Sequence, residues 1–242
     1  PKSDEEESRK DAYAKIYWKQ RKRRGITLLS AKKLMRERNY FAAMMVNVSD
    51  ADALISGYSR SYPTVVKPIL ELIGLDKGVT RIATTNLLMT KRGPLFLSDT
   101  SINIDPDSKD LATIANMTAT TVKMFGLEPV LAMISFSNFG SSQDQSAKKV
   151  REAVSYLHKF YPNLIVDGEL QTDFALNNEM LQDIFPFSKL AGKKVNTLIF
   201  PNLDSANITY KLLKELNKAE NIGPIMMGLK KPLKPKKLLF AG

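Results

Sequence analysis

The sequence predicts an α/β fold in which helices cover both faces of a parallel-rich sheet. Apolar runs without polar alternation, such as PVLAMISFS at 129–137 and VNTLIFP at 195–201, recur in the second half of the chain. Helical patterns separate these runs. Strands buried on both faces read as continuous apolar segments, and regular alternation of strands with helices is typical of a parallel sheet. The 242 residues, 43% of them hydrophobic, suffice for one large domain or two small ones.

The first eighty residues read mainly as helices. Residues 8–24 form a helical pattern that ends at Gly25, and Thr27 has the position and side chain of an N-cap for a second helix over 28–45. ALIS at 53–56 reads as a short strand, and a helix is expected after Pro68.

From residue 79 onward the pattern becomes richer in strands. Residues 79–104 read as two β-rich runs across the turn KRGP, which predicts an antiparallel hairpin. A helix capped by Ser108 and ended by Gly126 follows. The remaining predicted elements alternate: strand 129–137, helix 146–160, strand 163–168, helix 177–185, strand 195–201, helix 205–218 and strand 222–229.

Composition excludes several kinds of chemistry. The chain has no cysteine, so disulfides, thiolate metal sites and thiol nucleophiles are absent. Its single histidine, His158, lies within a helical pattern, where a structural role is expected. No apolar run reaches the roughly 18–20 residues that span a membrane, and the polar start PKSDEEESRKD is unlike a secretory signal. We therefore expect a cytoplasmic protein without a membrane partner.

The net charge of +11 is concentrated at the two ends. Residues 1–24 hold nine Lys/Arg and five Asp/Glu, and residues 227–242 hold five Lys and no acid. The 202 residues between them carry only +2. Basic ends can contact a polyanion, so a nucleic-acid binder stays an alternative, although the near-neutral body argues against a nucleic-acid partner. Small anionic ligands fit the charge as well.

The residues that follow the predicted strands are rich in hydroxyls and amides. Open α/β sheets bind ligands beyond the carboxyl ends of their strands, and amides, hydroxyls and helix starts there can cradle an oxyanion or phosphate. Neither a Gly-x-Gly-x-x-Gly fingerprint nor a Walker Gly-Lys-Ser/Thr motif is present. The candidates after the strands are Ser59, Ser137, Asn138, Gly140, Ser141, Ser142, Asp167, Gln171, Asp173, Asn207 and Lys211.

Some of these candidates have simpler explanations. Asp167 and Asp173 are spaced as a possible acid/base pair, but a solvated loop acid and a helix cap account for either one alone. Asn207 and Lys211, four residues apart on one helix face, could equally be a surface pair. The convergence of several loops on one edge is stronger evidence than any single loop.

Several long segments together resemble the phosphate acetyl/butyryltransferase family. They are RKRRGITLLSAKKLMRERNYFAAMM, DADALISGYSRSYPTVVKPIL, MISFSNFGSS, PNLIVDGELQTDFA, FPFSKLAGKKVNTLIFPNLDSANITYKLL and AENIGPIMMGLKKP. Segments such as LMTKRGPLFLSDT and FSNFGSS look most similar to the phosphotransacetylase-like domain at the C-terminus of bacterial NADP-dependent malic enzymes. The resemblance covers about residues 10–233.

The resemblance implies an isocitrate dehydrogenase-like or phosphotransacetylase-like fold of two α/β subdomains with a cleft between them. We expect residues 1–77 and 224–242 in the first subdomain, which would be incomplete, and residues 78–223 in the second. It also implies that phosphate-site arginines of the family correspond to Arg21 and Lys67, so that the second is changed to lysine. The family's Ser-Arg-Gly motif, expected shortly after GLKKP, is replaced by LKPKKLLFAG.

These departures favour a regulatory role over catalysis. The resemblance implies a module that binds acetyl-CoA, or a related acyl-CoA or acyl phosphate, with no catalytic residue, metal or cofactor of its own. It further implies a homo-oligomer attached to a malic-enzyme catalytic region, which uses NADP with Mg²⁺ or Mn²⁺ to decarboxylate malate oxidatively to pyruvate. An active phosphate acetyltransferase, moving acetyl between phosphate and coenzyme A, stays the alternative.

Overall fold

The computed structural model describes residues 4–52, 54–56, 62–77, 79–218, 220–230 and 240–241. The chain divides into two compact units. The first comprises Pro1–Thr80 and Leu229–Gly242, and the second comprises Arg81–Gly228.

The helices, in chain order, are α1 Asp4–Arg21, α2 Leu28–Leu34, α3 Arg38–Val48, α4 Tyr62–Leu72, α5 Ser108–Met124, α6 Gln145–Phe160, α7 Thr172–Leu176, α8 Asn178–Ile184 and α9 Leu203–Asn217. The strands are β1 Ile55–Ser56, β2 Ala83–Thr90, β3 Gly93–Ser98, β4 Val130–Ile134, β5 Ile165–Leu170, β6 Thr197–Ile199, β7 Glu220–Met227 and β8 Phe240–Ala241. A 3₁₀ turn, Lys22–Arg24, follows α1.

The first unit is helical, with the two short strands β1 and β8 paired in parallel. Gly25 ends the first helical segment at φ +82°, a left-handed conformation that glycine adopts without steric cost. Thr27 caps α2 as predicted: its hydroxyl accepts from the Ser30 amide, while the Ser30 hydroxyl accepts from the Thr27 amide. The single helix predicted over 28–45 is wrong, because the chain turns after Met35 and restarts as α3.

The second unit is built on a mostly parallel sheet of six strands, in the order β7-β2-β3-β6-β4-β5. Strands β3, β6, β4 and β5 run parallel, and β2 is antiparallel to both β3 and β7. The predicted α/β class and the antiparallel hairpin are therefore confirmed. We expected residues 224–242 in the first unit. Because β7 pairs with β2, residues 224–228 lie in the second unit instead.

Both faces of this sheet are buried, which explains the continuous apolar runs. Leu87 and Phe96 point to one face, where Val122 of α5 packs against them. Their neighbours Leu88 and Leu97 point to the other face and join a larger core with residues of β4, α8 and α9. Alternate side chains of a strand face opposite sides, so a strand buried on both sides has no polar alternation.

The cap of α5 differs by one residue from the prediction. Asp107, not Ser108, is the N-cap: its carboxylate accepts from the Asp110 amide at 2.8 Å, and the Asp110 carboxylate accepts from the Asp107 amide at 3.1 Å. The amide and side chain of Asp110, more than desolvation, place the pKa of the Asp107 carboxyl below its usual value.

Candidate functional site at the carboxyl edge of the sheet

The loop after β4 is held by a serine cluster. The Ser137 hydroxyl donates to Glu169 Oε1 at 2.9 Å, so its oxygen is left to accept. It accepts from the Ser142 amide at 3.0 Å and lies 3.0 Å from the Ser141 hydroxyl. The Ser141 oxygen in turn accepts from the Asn138 amide at 3.0 Å. The loop is closed by its own side chains.

Glu169 is the centre of this cluster. It lies within β5, is 0% exposed, and accepts through Oε1 from Ser137 and from the Gly140 amide at 2.8 Å. Arg151 of α6 places its guanidinium Nη1 3.5 Å from the same oxygen and donates through Nη2 to the Ser142 carbonyl at 3.3 Å. The second oxygen, Oε2, is buried without a hydrogen-bond partner among the described residues. One buried carboxylate thus anchors the loop to the strand.

Gly140 shows how closely the arginine approaches the loop. Its φ is +91°, and a Cβ built there would lie 2.8 Å from Arg151 Nη1. A side chain at this position would therefore displace the guanidinium and strain the backbone. Glycine is needed here for its conformation, and a side chain would in addition move the Arg151 guanidinium from the loop.

Asp167 lies inside β5, not in the loop after it as the sequence suggested. Its side chain is 7% exposed. Oδ2 accepts from the Ser188 hydroxyl at 2.9 Å and the Lys189 amide at 2.8 Å, and Oδ1 accepts from the Gly168 amide at 3.0 Å. A carboxylate with three donors and little solvent contact ties the 185–190 segment to the sheet, which is a structural task.

Asn138 and Gln171 join the loops that follow β4 and β5. The Asn138 side chain donates to Gln171 Oε1 at 3.1 Å and accepts from the Gln171 amide at 2.7 Å. Gln171 Nε2 donates to the Phe136 carbonyl. Two of the predicted site residues are therefore brought together, and each satisfies the other's polar groups.

The start of α6 carries an acidic cap. Asp144 is the N-cap, and its carboxylate accepts from the Ser146 amide at 2.8 Å and the Ser146 hydroxyl at 2.7 Å. The Ser146 hydroxyl, followed by its amide, lowers the pKa of the Asp144 carboxyl. A helix N-terminus that holds its own carboxylate is a poorer cradle for an external anion.

Asp173, Asn207 and Lys211, the other predicted residues of this unit, do not take part in the cluster around Glu169. Asp173 is exposed on the short helix α7, away from the buried donors that hold Asp167. Asn207 of α9 donates to the Thr100 carbonyl at 3.0 Å, which ties the helix to the end of β3. Lys211 is exposed one turn further along α9.

Two of the predicted site residues lie on helices of the first unit. Arg21 is half-buried at the end of α1, and Lys67 is exposed on α4. Near Arg21, Glu71 accepts from the hydroxyls of Tyr17 at 3.0 Å and Tyr40 at 2.7 Å. Desolvation, followed by the Glu71 hydrogen bond, raises the pKa of Tyr17 to about 12, whereas the Arg21 charge lowers it slightly. Ser59 lies outside the described residues.

Sequence reasoning missed three residues that organise this edge: Glu169, Arg151 and Asp99. Asp99 follows β3 directly and is 4% exposed. Its carboxylate accepts from the Thr84 hydroxyl, from the Thr84 amide at 3.0 Å and from the Asn103 amide at 2.9 Å. For Glu169 and Asp99 the available signal was an acidic side chain within an otherwise apolar strand or directly after it, whereas the helical position of Arg151 gave no such signal. Such a residue must be paired when the strand is buried.

His158 Nε2 donates to the Val166 carbonyl at 2.8 Å, which agrees with the expected structural role. Across the described ranges, no group of three or more His, Asp or Glu side chains could hold a metal ion. In that same part of the chain, every helix is too short or too polar to cross a membrane.

This geometry defines an α/β protein with a closed, hydroxyl-rich loop at the carboxyl edge of its sheet. The chain belongs to the phosphate acetyl/butaryl transferase family, whose sequence profile matches residues 2–235. The resemblance read from the sequence is therefore confirmed.

Two kinds of curated relative are similar to this chain. The NADP-dependent malic enzyme of Haemophilus influenzae is 37% identical over 229 residues, which cover 94% of this chain and 30% of that enzyme. The phosphate acetyltransferase of Clostridium acetobutylicum is 36% identical over 230 residues, which cover 92% of this chain and 69% of that protein. The chain thus spans about a third of the length of the malic enzyme that it matches.

Solved structures agree with the sequence relatives. A phosphotransacetylase from Streptococcus pyogenes superposes with a TM-score of 0.83 at 35% identity, covering 99% of this chain and 70% of that chain. The EutD phosphotransacetylase from Staphylococcus aureus superposes with a TM-score of 0.84 at 32% identity, covering 95% of this chain and 69% of that chain.

Proposed function

We propose that this chain is a regulatory, ligand-binding module of an NADP-dependent malic enzyme, with acetyl-CoA as its effector and without transferase activity of its own. The observation that carries the proposal is that the buried carboxylates at the carboxyl edge are already committed to structure. Asp167 accepts from three donors, and Glu169 anchors the loop after β4.

Transfer of acetyl to coenzyme A needs a base for the thiol and cationic groups for the phosphate and developing oxyanion. In the second unit, the base would have to be an accessible group in the site. Asp167 is buried and saturated with donors, and Asp173 is exposed but has no carboxylate or cation paired with it in the described structure. This arrangement supports binding more than proton transfer.

Two features of the sequence support the same conclusion. Lys67 stands where the family resemblance places an arginine, and lysine cannot bind a phosphate through two parallel hydrogen bonds. The residues after GLKKP read LKPKKLLFAG, with neither serine nor arginine where the family's Ser-Arg-Gly is expected.

An active phosphate acetyltransferase is the second candidate. It is favoured by the Clostridium acetobutylicum relative, of which this chain covers 69%, and by the two phosphotransacetylase structures. The two candidates share a ligand chemistry, an acyl group with a phosphate or coenzyme A, and differ in whether bonds are made and broken.

The wider context belongs to the proposal as well. The module would associate with copies of itself in a cytoplasmic oligomer, attached to a malic-enzyme region that uses NADP and Mg²⁺ or Mn²⁺. An effector can inhibit such an assembly only by binding one of its conformations more tightly than another. The malic-enzyme relatives support the attachment.

Two measurements separate the candidates. Calorimetric titration of the protein with acetyl-CoA should give saturable binding, while incubation with acetyl phosphate and coenzyme A should give no acetyl-CoA above the uncatalysed rate. Robust turnover would establish the transferase instead. Absence of binding together with absence of turnover would reject both candidates.

A matched pair of variants tests the loop. Ser141 is exposed, so Ser141→Trp adds bulk at the loop surface, whereas Ser137 is 1% exposed and would confound binding with folding. Ser141→Trp also removes the acceptor of the Asn138 amide, so Ser141→Ala, which loses that hydrogen bond without adding bulk, should keep its acetyl-CoA affinity. Ser155→Trp places the same ring on the exposed face of α6. We expect acetyl-CoA affinity to fall about tenfold or more for Ser141→Trp, a loss of about 1.4 kcal/mol, and to stay unchanged for Ser155→Trp.

A further inference from the structure

A cavity lies in the second unit, at the edge of the sheet opposite the candidate site. It opens beside the β2–β3 turn, the residues leading into β6 and the end of α9, and its volume is about 410 Å³. Parallel strands β3 and β6 begin at this edge, whereas the candidate site lies at the opposite edge, where the parallel strands end. The volume falls in the range of about 300–1,000 Å³ that is usual for small-molecule sites.

The floor of the cavity is apolar and firmly packed. Leu95 and Val195 are buried, and Pro94, Leu176 and Leu213 are half-buried around them. Side chains of this kind bind the apolar body of a ligand by removing it from water. Apolar side chains do not bind a purely ionic ligand.

The rim of the cavity is cationic. Lys91, Arg92, Lys194 and Lys218 line it, against a single acid, Glu220. Among the ion pairs of the described residues, none involves any of these five side chains. Several like charges around one low-dielectric cavity raise the local concentration of anions.

The rim cations differ in their surroundings. Lys218 follows the C-terminal end of α9, whose partial negative charge offsets part of its own. Lys91, Arg92 and Lys194 have no such neighbour and lie around the start of β3. These three carry most of the positive field at the mouth.

The turn that carries Lys91 and Arg92 is held by two side-chain hydrogen bonds. The Thr90 hydroxyl donates to the Gly93 carbonyl at 2.8 Å and accepts from the Arg92 amide at 3.1 Å. Gly93 has φ +102°, and a Cβ built on it would lie 3.7 Å from the ammonium of Lys194. The backbone of the turn and the Lys194 ammonium therefore meet at the mouth of the cavity.

We propose that this cavity binds an organic phosphate monoester, with the phosphate at the Lys91–Arg92–Lys194 rim and an apolar body against Leu95 and Val195. A phosphate monoester carries close to two negative charges near neutral pH and so matches several cations better than one carboxylate does. This site is independent of the proposed acetyl-CoA site, because its residues belong to the opposite edge of the sheet.

The test uses 1-naphthyl phosphate as the probe, measured by calorimetry on the 242-residue protein. We expect saturable binding that weakens as salt is raised, because the rim is exposed and screened by ions. Uncharged 1-naphthol and inorganic phosphate should each bind at least about tenfold more weakly, since each lacks one half of the recognition. Equal binding of either control would overturn the proposal.

Variants localise the binding. Arg92→Gln with Lys194→Gln removes two rim charges, and we expect affinity for 1-naphthyl phosphate to fall about tenfold, from two exposed ion pairs. Lys109→Gln with Lys148→Gln removes two exposed charges from the same unit away from the cavity. Circular dichroism melting should be alike for both double variants. Unchanged affinity in the rim variant, or an equal loss in the control, would refute the assignment.

Discussion

Replacing Glu169 with alanine should destabilise the second unit more than any exposed substitution. The side chain is 0% exposed and accepts from the Ser137 hydroxyl and the Gly140 amide, with Arg151 beside it. Alanine leaves these donors without their acceptor and opens a cavity. Each buried donor left without its acceptor costs about 1–3 kcal/mol, and with the cavity added we expect a loss of about 3–5 kcal/mol.

Glutamine separates the two parts of this effect. Glu169→Gln keeps an oxygen for the donors from Ser137 and Gly140 and places its amide where Oε2 has no partner. It loses the charge that faces Arg151 and the strength of charge-assisted hydrogen bonds, and it replaces a buried oxygen that is unpaired among the described residues with unpaired N–H donors. We expect a loss of about 1–2 kcal/mol, smaller than that of alanine.

Urea unfolding and amide hydrogen exchange measure the effect. The Gly140 amide donates directly to Glu169, so its exchange reports on this contact. For Glu169→Ala we expect exchange at Gly140 to accelerate about a hundredfold or more, equivalent to about 3 kcal/mol. The control, exposed Glu152→Ala, should stay within about 0.5 kcal/mol. If Gly140 exchanges at the same rate in both variants, Glu169 does not anchor the loop.

Three further predictions concern other parts of the chain. Gly168→Ala should lower the free energy of unfolding in urea titrations by about 3 kcal/mol or more, because Gly168 has φ +142° and a Cβ there would lie 2.5 Å from the Met133 carbonyl oxygen. A loss below about 1 kcal/mol would show that β4 and β5 separate easily. Asp107→Ala should lower the free energy of unfolding by about 1 kcal/mol near neutral pH and by less at pH 2. The pKa of Asp107 is lowered in the folded chain, so the cap stabilises the fold while the carboxyl is ionised and this stabilisation is lost as it is protonated; an equal loss at both pH values would contradict this. Tyr13 and Tyr17, whose pKa values are raised to about 12, keep their protons in the folded chain after the unfolded chain has lost them, so stability should fall between pH 10 and pH 12; an equal fall in urea titrations of a variant with both Tyr13→Phe and Tyr17→Phe would argue against it.

Most of the fold could be predicted because its signals are local. Continuous apolar runs indicated strands buried on both faces, and the run across KRGP indicated the hairpin that pairs β2 with β3. The break between α2 and α3 was not predictable from the same pattern, since residues 28–45 keep a helical composition through the turn. The pairing of β7 with β2 depends on contacts between distant segments, which periodicity does not report.

The site was predictable in position but not in its chemistry. Chain topology placed Ser137, Asn138 and Gln171 at one edge, and the structure joins them there. The sequence reading treated them as groups facing a ligand. Whether a polar side chain faces a ligand or a neighbour depends on its partners, and here Glu169, which the pattern did not single out, takes the hydroxyl of Ser137.

This distinction bears on how activity should be inferred in such a fold. Asp167 and Glu169 hold the 185–190 segment and the loop after β4, so the fold needs both whether or not any acetyl group is transferred. The segment VDGELQ is therefore weak evidence for catalysis. The discriminating positions are those that no buried contact requires, such as exposed Lys67 and the residues that follow GLKKP. Lys67→Arg would allow two parallel hydrogen bonds to a phosphate without touching the core. A gain in phosphate affinity with no gain in acetyl transfer would then indicate a module that keeps the binding surface but does not catalyse the transfer.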